Sequence, residues 1–142
     1  MSALIPNVWI PGLPKGQPRA RAFARNGHAR MYDPGTAEAW KQSVACAVGP
    51  HITNQPPLAG PVYMRVLFVF PRPKSHSNRH GVKDGAPSYH TGKPDVDNAV
   101  KAVMDALTAL NVWFDDAQVC RLDATKAYGI VPGAYLTVGV VE

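Results

Sequence analysis

Residues 93–119, KPDVDNAVKAVMDALTALNVWFDDAQV, decide how the chain folds. Apolar side chains recur in this stretch at the three- and four-residue spacing of one helix face; they are Val100, Val103, Met104, Leu107 and Leu110. This periodicity predicts a helix over 97–110 that ends at Asn111. Trp113 and Phe114 then lie in the connection to the next strand, where we expect both rings to pack into the core.

The segments outside this stretch alternate between strand and helix patterns. A central strand over 61–70 is predicted by apolar residues that share one face, namely Val62, Met64, Val66, Phe68 and Phe70. A helix over 34–48 is predicted by the apolar spacing that begins at Trp40, with Asp33 as its N-cap and Gly49-Pro50 as its end. Further strands are expected over 8–10, 118–128 and 135–141, and a hairpin pairing 21–25 with 28–32 around Asn26-Gly27.

Length and composition limit the class of protein. The chain has 142 residues, of which 46% are hydrophobic and 18% charged, as in a folded globular protein. We therefore expect one domain over 1–142 with an α/β (α+β) fold, a mixed sheet with about two main helices packed on it. No apolar run approaches the roughly 20 residues of a membrane helix, and no secretory signal precedes the domain, which predicts a cytoplasmic protein without membrane contact. Cys46 and Cys120 form no CxxC pair and are expected to be small core residues.

The charge is divided unevenly along the chain. The net charge is +5, yet residues 1–94 hold 12 basic and 3 acidic residues, whereas residues 95–142 hold 3 basic and 7 acidic ones. Basic segments of this kind suit a polyanion such as nucleic acid, although they also serve to keep a surface soluble. The candidate phosphate-binding residues are Lys15, Arg19, Arg21, Arg25, Arg72, Lys74 and Arg79. The last three lie in a polar loop over 71–94, where His90 is either a contact to the scissile phosphate or a plain loop residue.

Six of the ten acidic residues are aspartates within 29 positions: Asp95, Asp97, Asp105, Asp115, Asp116 and Asp123. Crowded carboxylates repel one another unless a cation lies among them, and short carboxylate arms suit Mg²⁺. Mg²⁺ held by Asp95, Asp97 and Asp116 would activate water for phosphodiester hydrolysis. Lys101, four residues after Asp97 on the same helix face, would add a fixed positive charge at the phosphate.

Each acidic residue also has a plainer explanation. Asp95 is explained equally well as a turn residue after Pro94, and Asp97 as a helix N-cap. The pair 115–116 suits a solvated turn. Asp105 is expected to pair with Lys101 on the helix surface and Asp123 to lie on the outer face of a strand, so neither is counted in the site.

The motifs KPDVDN (93–98), DAL (105–107) and WFDDAQV (113–119), together with Lys101, resemble the RusA family of Holliday-junction resolvases, or crossover junction endodeoxyribonucleases. The resemblance runs over 93–126 without a gap, and KGQPR (15–19) and RPKSH (72–76) resemble basic segments of that family. It implies a homodimeric, Mg²⁺-dependent endonuclease, with Mn²⁺ as a substitute metal, that cuts four-way junction DNA by paired nicks in recombination and repair. By motif position, the metal-binding carboxylates are Asp95, Asp97 and Asp116, with Asp115 a supporting acid and Lys101 the catalytic lysine.

The resemblance also implies a place beside DNA in the cytoplasm, on the nucleoid or on phage DNA. A homodimer is independently expected, because two symmetric cuts in a two-fold symmetric junction require two related active sites. Two other functions remain open at this point. One is a non-catalytic protein that binds branched DNA, and the other is a Mg²⁺-dependent nuclease that acts on another nucleic-acid structure.

Overall fold

The structure is a computed structural model that describes residues 3–18, 21–25, 28–32 and 37–142, with the backbone alone for 21–25 and 28–32. Its two helices are α1 (Glu38–Ile52) and α2 (Val96–Ala109). Its strands are β1 (Ala3–Pro11), β2 (Arg21–Arg25), β3 (His28–Tyr32), β4 (Val62–Pro71), β5 (Ser77–Asn78), β6 (Gly81–Val82), β7 (Val119–Gly129) and β8 (Gly133–Val140). A mixed sheet carrying two helices confirms the predicted α+β fold.

Four strands form the main sheet in the order β1-β8-β4-β7. β4 pairs antiparallel with β8 and parallel with β7, in a register that sets Phe68 opposite Lys126. Because strand side chains alternate between faces, every second residue of β4 points into the core. The predicted face is buried as expected, and it consists of Val62, Met64, Val66, Phe68 and Phe70.

Both helices pack on that apolar face of the sheet. α1 buries Trp40, Val44 and Val48, and α2 buries the predicted Val100, Val103 and Leu107 together with three alanines, Ala99, Ala102 and Ala106. Small alanine side chains let α2 approach its neighbours closely. The first turn of α2 and the chain that follows its end are thereby fixed against the rigid centre of the molecule.

The first helix differs from the sequence prediction at both ends. It begins at Glu38 with Ala37 as the N-cap, whereas Asp33, the predicted cap, lies outside the described residues together with Asn26-Gly27. It also continues through Pro50 to Ile52, so the predicted end at Gly49-Pro50 is wrong. Proline removes only one backbone hydrogen bond in a last turn, and Gly49 has no Cβ to clash with the proline ring.

Two further expectations, for the cysteines and for Phe114, are changed by the structure. Cys46 and Cys120 are free thiols but exposed, because Cys46 lies on the outer side of α1 and Cys120 on the edge strand β7. Trp113 is buried as predicted, whereas Phe114 is 70% exposed because the chain turns outward after Trp113. The 71–94 segment is an organised loop that contains the β5–β6 hairpin and a single 3₁₀ turn, Lys74–His76.

The hairpin prediction is confirmed, since β2 pairs antiparallel with β3 from Arg21 opposite Tyr32 to Arg25 opposite His28. Within the described ranges, neither helix has the length and apolar character needed to cross a lipid bilayer.

Candidate functional site

The first turn of α2 presents two aspartates to solvent. Asp95 occupies the N-cap position, yet its side chain makes no capping hydrogen bond to the helix. Its carboxylate instead accepts from Lys93 Nζ at 2.9 Å, in an exposed ion pair. Asp97 lies inside the first turn, so it is not the N-cap that one sequence interpretation expected. Neither carboxylate is therefore explained by helix capping.

The second pair of aspartates lies in the turn before β7, a 3₁₀ turn over Asp116–Gln118. Trp113 anchors this turn, because its ring is buried and its Nε1 donates to Thr108 Oγ1 on α2 at 2.8 Å. Asp115 Oδ1 then accepts from the backbone N of Ala117 at 2.9 Å. The turn is thus attached to the end of α2 and closed by one of its own carboxylates.

Gln118 holds the same turn from the other side. Its Oε1 accepts from the backbone N of Phe114 at 2.8 Å and of Asp115 at 2.9 Å. Its Nε2 donates to Leu58 O at 2.8 Å and to Gly60 O at 3.0 Å. The Gln118 side chain therefore fixes the backbone of the turn that carries the second pair of aspartates.

Asp115 and Asp116 are adjacent exposed residues whose carboxyl groups interact. The interaction with the Asp115 carboxyl group, followed by slight desolvation and the negative charges of Asp115 and Asp105, raises the pKa of Asp116. The bond from the Ala117 amide, followed by the interaction with Asp116, lowers the pKa of Asp115. Two adjacent carboxyl groups that shift each other's pKa in opposite directions form a locally negative site that favours a cation.

Residues of α2 face this second pair. Lys101 lowers the pKa of Asp116 and Asp105 raises it, so both lie close enough to act on that carboxyl group. Asp97, Lys101 and Asp105 are spaced by four residues and share one face of the helix, with a rise of roughly 6 Å between successive members. The face of α2 that meets Asp116 therefore begins at Asp97.

This geometry revises the expectation for Asp105. The sequence analysis paired it with Lys101 at the surface, but the part of the chain that the structure describes has no Lys101–Asp105 ion pair. Asp105 instead acts on Asp116, a relation that the sequence could suggest only through its four-residue spacing from Lys101. Asp123 is exposed on β7, as expected.

The donor groups can be compared with what Mg²⁺ requires. Among the residues described, no group of three acidic, histidine or cysteine side chains is arranged to hold a metal ion by itself. Mg²⁺ is commonly bound by one or two carboxylates, completed by water and by substrate phosphate. The Asp115–Asp116 pair meets that requirement, whereas a joint ligand set with Asp95 and Asp97 stays a prediction.

A basic segment lies against the start of α2. The backbone N of Gln17 donates to Asn98 O at 3.1 Å, and Gly16 lies so close that a Cβ there would be 3.0 Å from Pro94 Cβ. Lys15, one residue earlier, is exposed. This candidate phosphate-binding residue is thus next to the acidic site, while Arg19 and the side chains of Arg21 and Arg25 lie outside the described parts.

The 71–94 loop carries the other basic candidates. Lys74 and Arg79 are exposed, and Arg79 Nε donates to His80 Nε2 at 3.2 Å. Arg72 is placed differently, because its guanidinium donates to Pro87 O at 2.7 Å and lies 5.3 Å from the centre of the Tyr128 ring. Its guanidinium therefore joins the two ends of the loop.

His90 also has a structural place in this loop. Its ring stacks on Phe70 with centroids 4.0 Å apart and meets Tyr128 edge-on at 5.2 Å. Burial, followed by the charge of Lys126, lowers the pKa of His90. The ring is therefore held neutral against two aromatic side chains, which favours the structural explanation over a contact with phosphate.

Comparison with known proteins identifies the kind of chain that carries this site. The family model described as Endodeoxyribonuclease RusA matches residues 11–139. The chain belongs to the RusA family. It is also 41% identical, over 124 residues, to the uncharacterized protein YqaN of Bacillus subtilis (strain 168), a similarity that covers 85% of this chain and 86% of that protein.

The RusA match includes both pairs of aspartates, Lys101 and Lys15. Membership of the RusA family confirms the resemblance drawn from the motifs and makes the chain one of a family of endodeoxyribonucleases. Gln118 and Asp105, which the sequence did not mark as site residues, contact or act on the second pair of aspartates in the structure. The WFDDAQV motif signalled Gln118, whose bonds to Phe114 and Asp115 are local, but its bonds to Leu58 and Gly60 depend on the tertiary structure.

Proposed function

We propose that this RusA-family chain is a Mg²⁺-dependent, structure-selective endodeoxyribonuclease that resolves four-way DNA junctions by paired symmetric nicks. The observation that carries the proposal is that Lys101, on the same side of α2 as Asp97, lies close enough to the exposed Asp115–Asp116 turn for its charge to act on the Asp116 carboxyl group. The carboxylates of this arrangement suit a metal ion, and the lysine suits a phosphate. Metal-assisted phosphodiester hydrolysis requires both to be bound together.

The residues of the chain take distinct parts in the proposed reaction. Asp95, Asp97 and Asp116, with support from Asp115, would hold Mg²⁺. Mg²⁺ held there would supply a water of lowered pKa and offset negative charge on the phosphate, and Mn²⁺ is expected to substitute for it.

Lys101 takes a separate part, because it provides a fixed positive charge for the phosphate oxygens as negative charge develops on them. Asp115 acts on the backbone as well, since the bond from Ala117 N to its carboxylate keeps the turn closed.

The basic segments support DNA as the substrate. Lys15 lies beside the start of α2, and Lys74 and Arg79 lie on the exposed part of the 71–94 loop. Cations around an acidic site attract the polyanion that the carboxylates alone would repel. Arg19, Arg21 and Arg25 are proposed as further phosphate contacts on the strength of the sequence.

A homodimer is part of the proposal. Two symmetric nicks require two sites related by a two-fold axis. The sheet face opposite the two helices supports such an assembly, because it carries Trp9 and Tyr135, with ring centroids 4.8 Å apart, and the half-buried Leu67 and Val69. This apolar patch lies beside polar residues of the same face, such as Arg65 and Thr137, and a patch of this kind is suited to burial against a second copy.

The proposal is tested with a labelled four-way junction and a linear duplex of matched sequence, each incubated with the protein in Mg²⁺ or in EDTA. We expect symmetric, Mg²⁺-dependent nicks in the junction alone. Asp97→Asn is expected to abolish cleavage while junction binding is kept or tightened, because the change removes a metal ligand and a negative charge. Binding without nicks would indicate a non-catalytic protein, and equal cutting of both substrates a general nuclease.

A further inference from the structure

The ammonium group of Lys126 bonds the backbone just before the first pair of aspartates. Lys126 Nζ donates to Gly92 O at 2.8 Å and to Pro94 O at 2.7 Å. Pro94 directly precedes Asp95. Lys126 is distant in sequence, on strand β7, and no motif of the sequence analysis assigned it a role.

The sheet explains how Lys126 reaches this segment. Its register partner in the parallel strand β4 is Phe68, which is fully buried under the helices. Partners in register point to the same face of a sheet, so Lys126 extends from the edge strand toward the face that carries α2. The backbone oxygen of Lys126 also accepts from His90 N at 3.0 Å.

The two bonds fix the turn from which α2 starts. Asp95 O accepts from Ala99 N at 3.0 Å, so the residue after the bonded carbonyls is already part of the helix. Backbone orientation at this point sets the direction in which the side chains of Asp95 and Asp97 leave the chain. An ammonium group has three N–H donors, and Lys126 commits two of them to this turn.

We propose that Lys126 is a positioning residue of the nuclease site, which orients Asp95 and Asp97 toward the metal through the carbonyls of Gly92 and Pro94. The inference rests on the proposed function, because it assumes that these two aspartates bind Mg²⁺. Loss of a group that orients metal ligands without contacting the metal typically lowers metal affinity by roughly 10- to 100-fold. Lys101, by contrast, is proposed to act on the phosphate directly.

Substitution of Lys126 tests the proposal, because loss of its charge and loss of its positioning role change the affinity for a cation in opposite directions. Removal of a positive charge near carboxylates by itself strengthens cation binding, whereas loss of positioning weakens it. Lys93 is the matched control, since it is a nearby lysine whose ammonium donates to the Asp95 carboxylate itself. Lys93→Met is expected to leave cation affinity unchanged or to raise it by up to about fivefold.

The experiment measures Mn²⁺ binding to the DNA-free protein by electron paramagnetic resonance, for wild type, Lys126→Met, Lys126→Arg and Lys93→Met. We expect Lys126→Met to bind Mn²⁺ at least about tenfold more weakly than wild type. Lys126→Arg is expected to restore most of the affinity, because a guanidinium can donate to both carbonyls. Hydrogen exchange at the Ala99 amide, measured without metal, is expected to be faster in Lys126→Met, with the amides of β8 unchanged.

Two results would overturn the inference. One is a Lys126→Met protein with wild-type or tighter Mn²⁺ binding, and the other is a Lys126→Arg protein no better than Lys126→Met in both measurements. Asp97→Asn separates this inference from the proposed function. If Asp97→Asn also binds Mn²⁺ as wild type does, the metal site itself is wrong; if Asp97→Asn loses affinity and Lys126→Met does not, the role of Lys126 alone is wrong.

Discussion

The side-chain amide of Gln118 donates to the backbone carbonyl of Leu58, 60 residues earlier in the chain, at 2.8 Å. Leu58 N in turn donates to Val112 O at 2.8 Å, and Gln118 also donates to Gly60 O, so three hydrogen bonds join the loop before β4 to the turn after α2. The second pair of aspartates, Asp115 and Asp116, therefore stands on a backbone that the interior of the protein supports.

Gln118→Ala is expected to destabilise the protein and weaken cleavage together. The change removes two donors and two acceptor contacts, and buried or half-buried groups left unpaired cost about 1–3 kcal/mol. Urea unfolding measures the free energy of unfolding of the variant. The control is Gln42→Ala on the exposed side of α1, whose free energy of unfolding should stay within about 0.5 kcal/mol of wild type. A Gln118→Ala protein as stable as that control would show that these bonds contribute little.

Asp105→Asn is expected to lower the pKa of Asp116. The negative charge of Asp105 disfavours the ionised form of Asp116, so its removal lets Asp116 lose its proton at lower pH. Carboxyl-carbon NMR titration of the metal-free protein measures this directly. Asp123→Asn, on the exposed part of β7, is the control and should leave Asp116 unchanged. An unaltered Asp116 titration in Asp105→Asn would contradict the arrangement of the two groups.

Lys74→Ala and Arg72→Ala are expected to differ in the salt dependence of junction binding. Lys74 is exposed, and loss of one phosphate contact lowers the slope of log affinity against log salt by about 1. Arg72 is committed to Pro87 O and to the Tyr128 ring, so its loss should loosen the loop and leave the slope nearly unchanged. Equal slope changes in both variants would make Arg72 a phosphate contact, as the sequence suggested.

His90→Phe is expected to flatten the pH dependence of stability below neutrality. Burial and Lys126 lower the pKa of His90 below 6.5 in the folded protein, so the unfolded chain takes up a proton first as the pH falls. Wild type should therefore lose stability from about pH 7 down to the folded pKa, and phenylalanine, which keeps the stack on Phe70, should not. Urea unfolding at pH 7 and pH 5 gives the comparison, and parallel losses in both proteins would exclude His90 as the cause.

Local patterns predicted the main elements well. The alternation over 61–70 and the apolar stripe from Val100 to Leu107 depend only on residues a few positions apart, and both were confirmed by burial. The wrong predictions concern residues whose position depends on the surrounding structure and not on the neighbouring sequence. Pro50 fell in a last helical turn that tolerates it, and Cys46 and Phe114 lie on surfaces that the spacing of apolar residues did not reveal.

The sequence by itself determined the α+β class, the RusA resemblance and the two pairs of aspartates, because these rest on spacing along one helix or turn. Only the tertiary structure decided that Asp105 and Lys101 face Asp116, that Gln118 bonds to Leu58 and that Lys126 bonds to Gly92 and Pro94. Each of these relations joins separate elements. Strand register and the packing of α2 on the sheet determine which residues meet in these relations. Neither can be derived from the spacing of residues along one element.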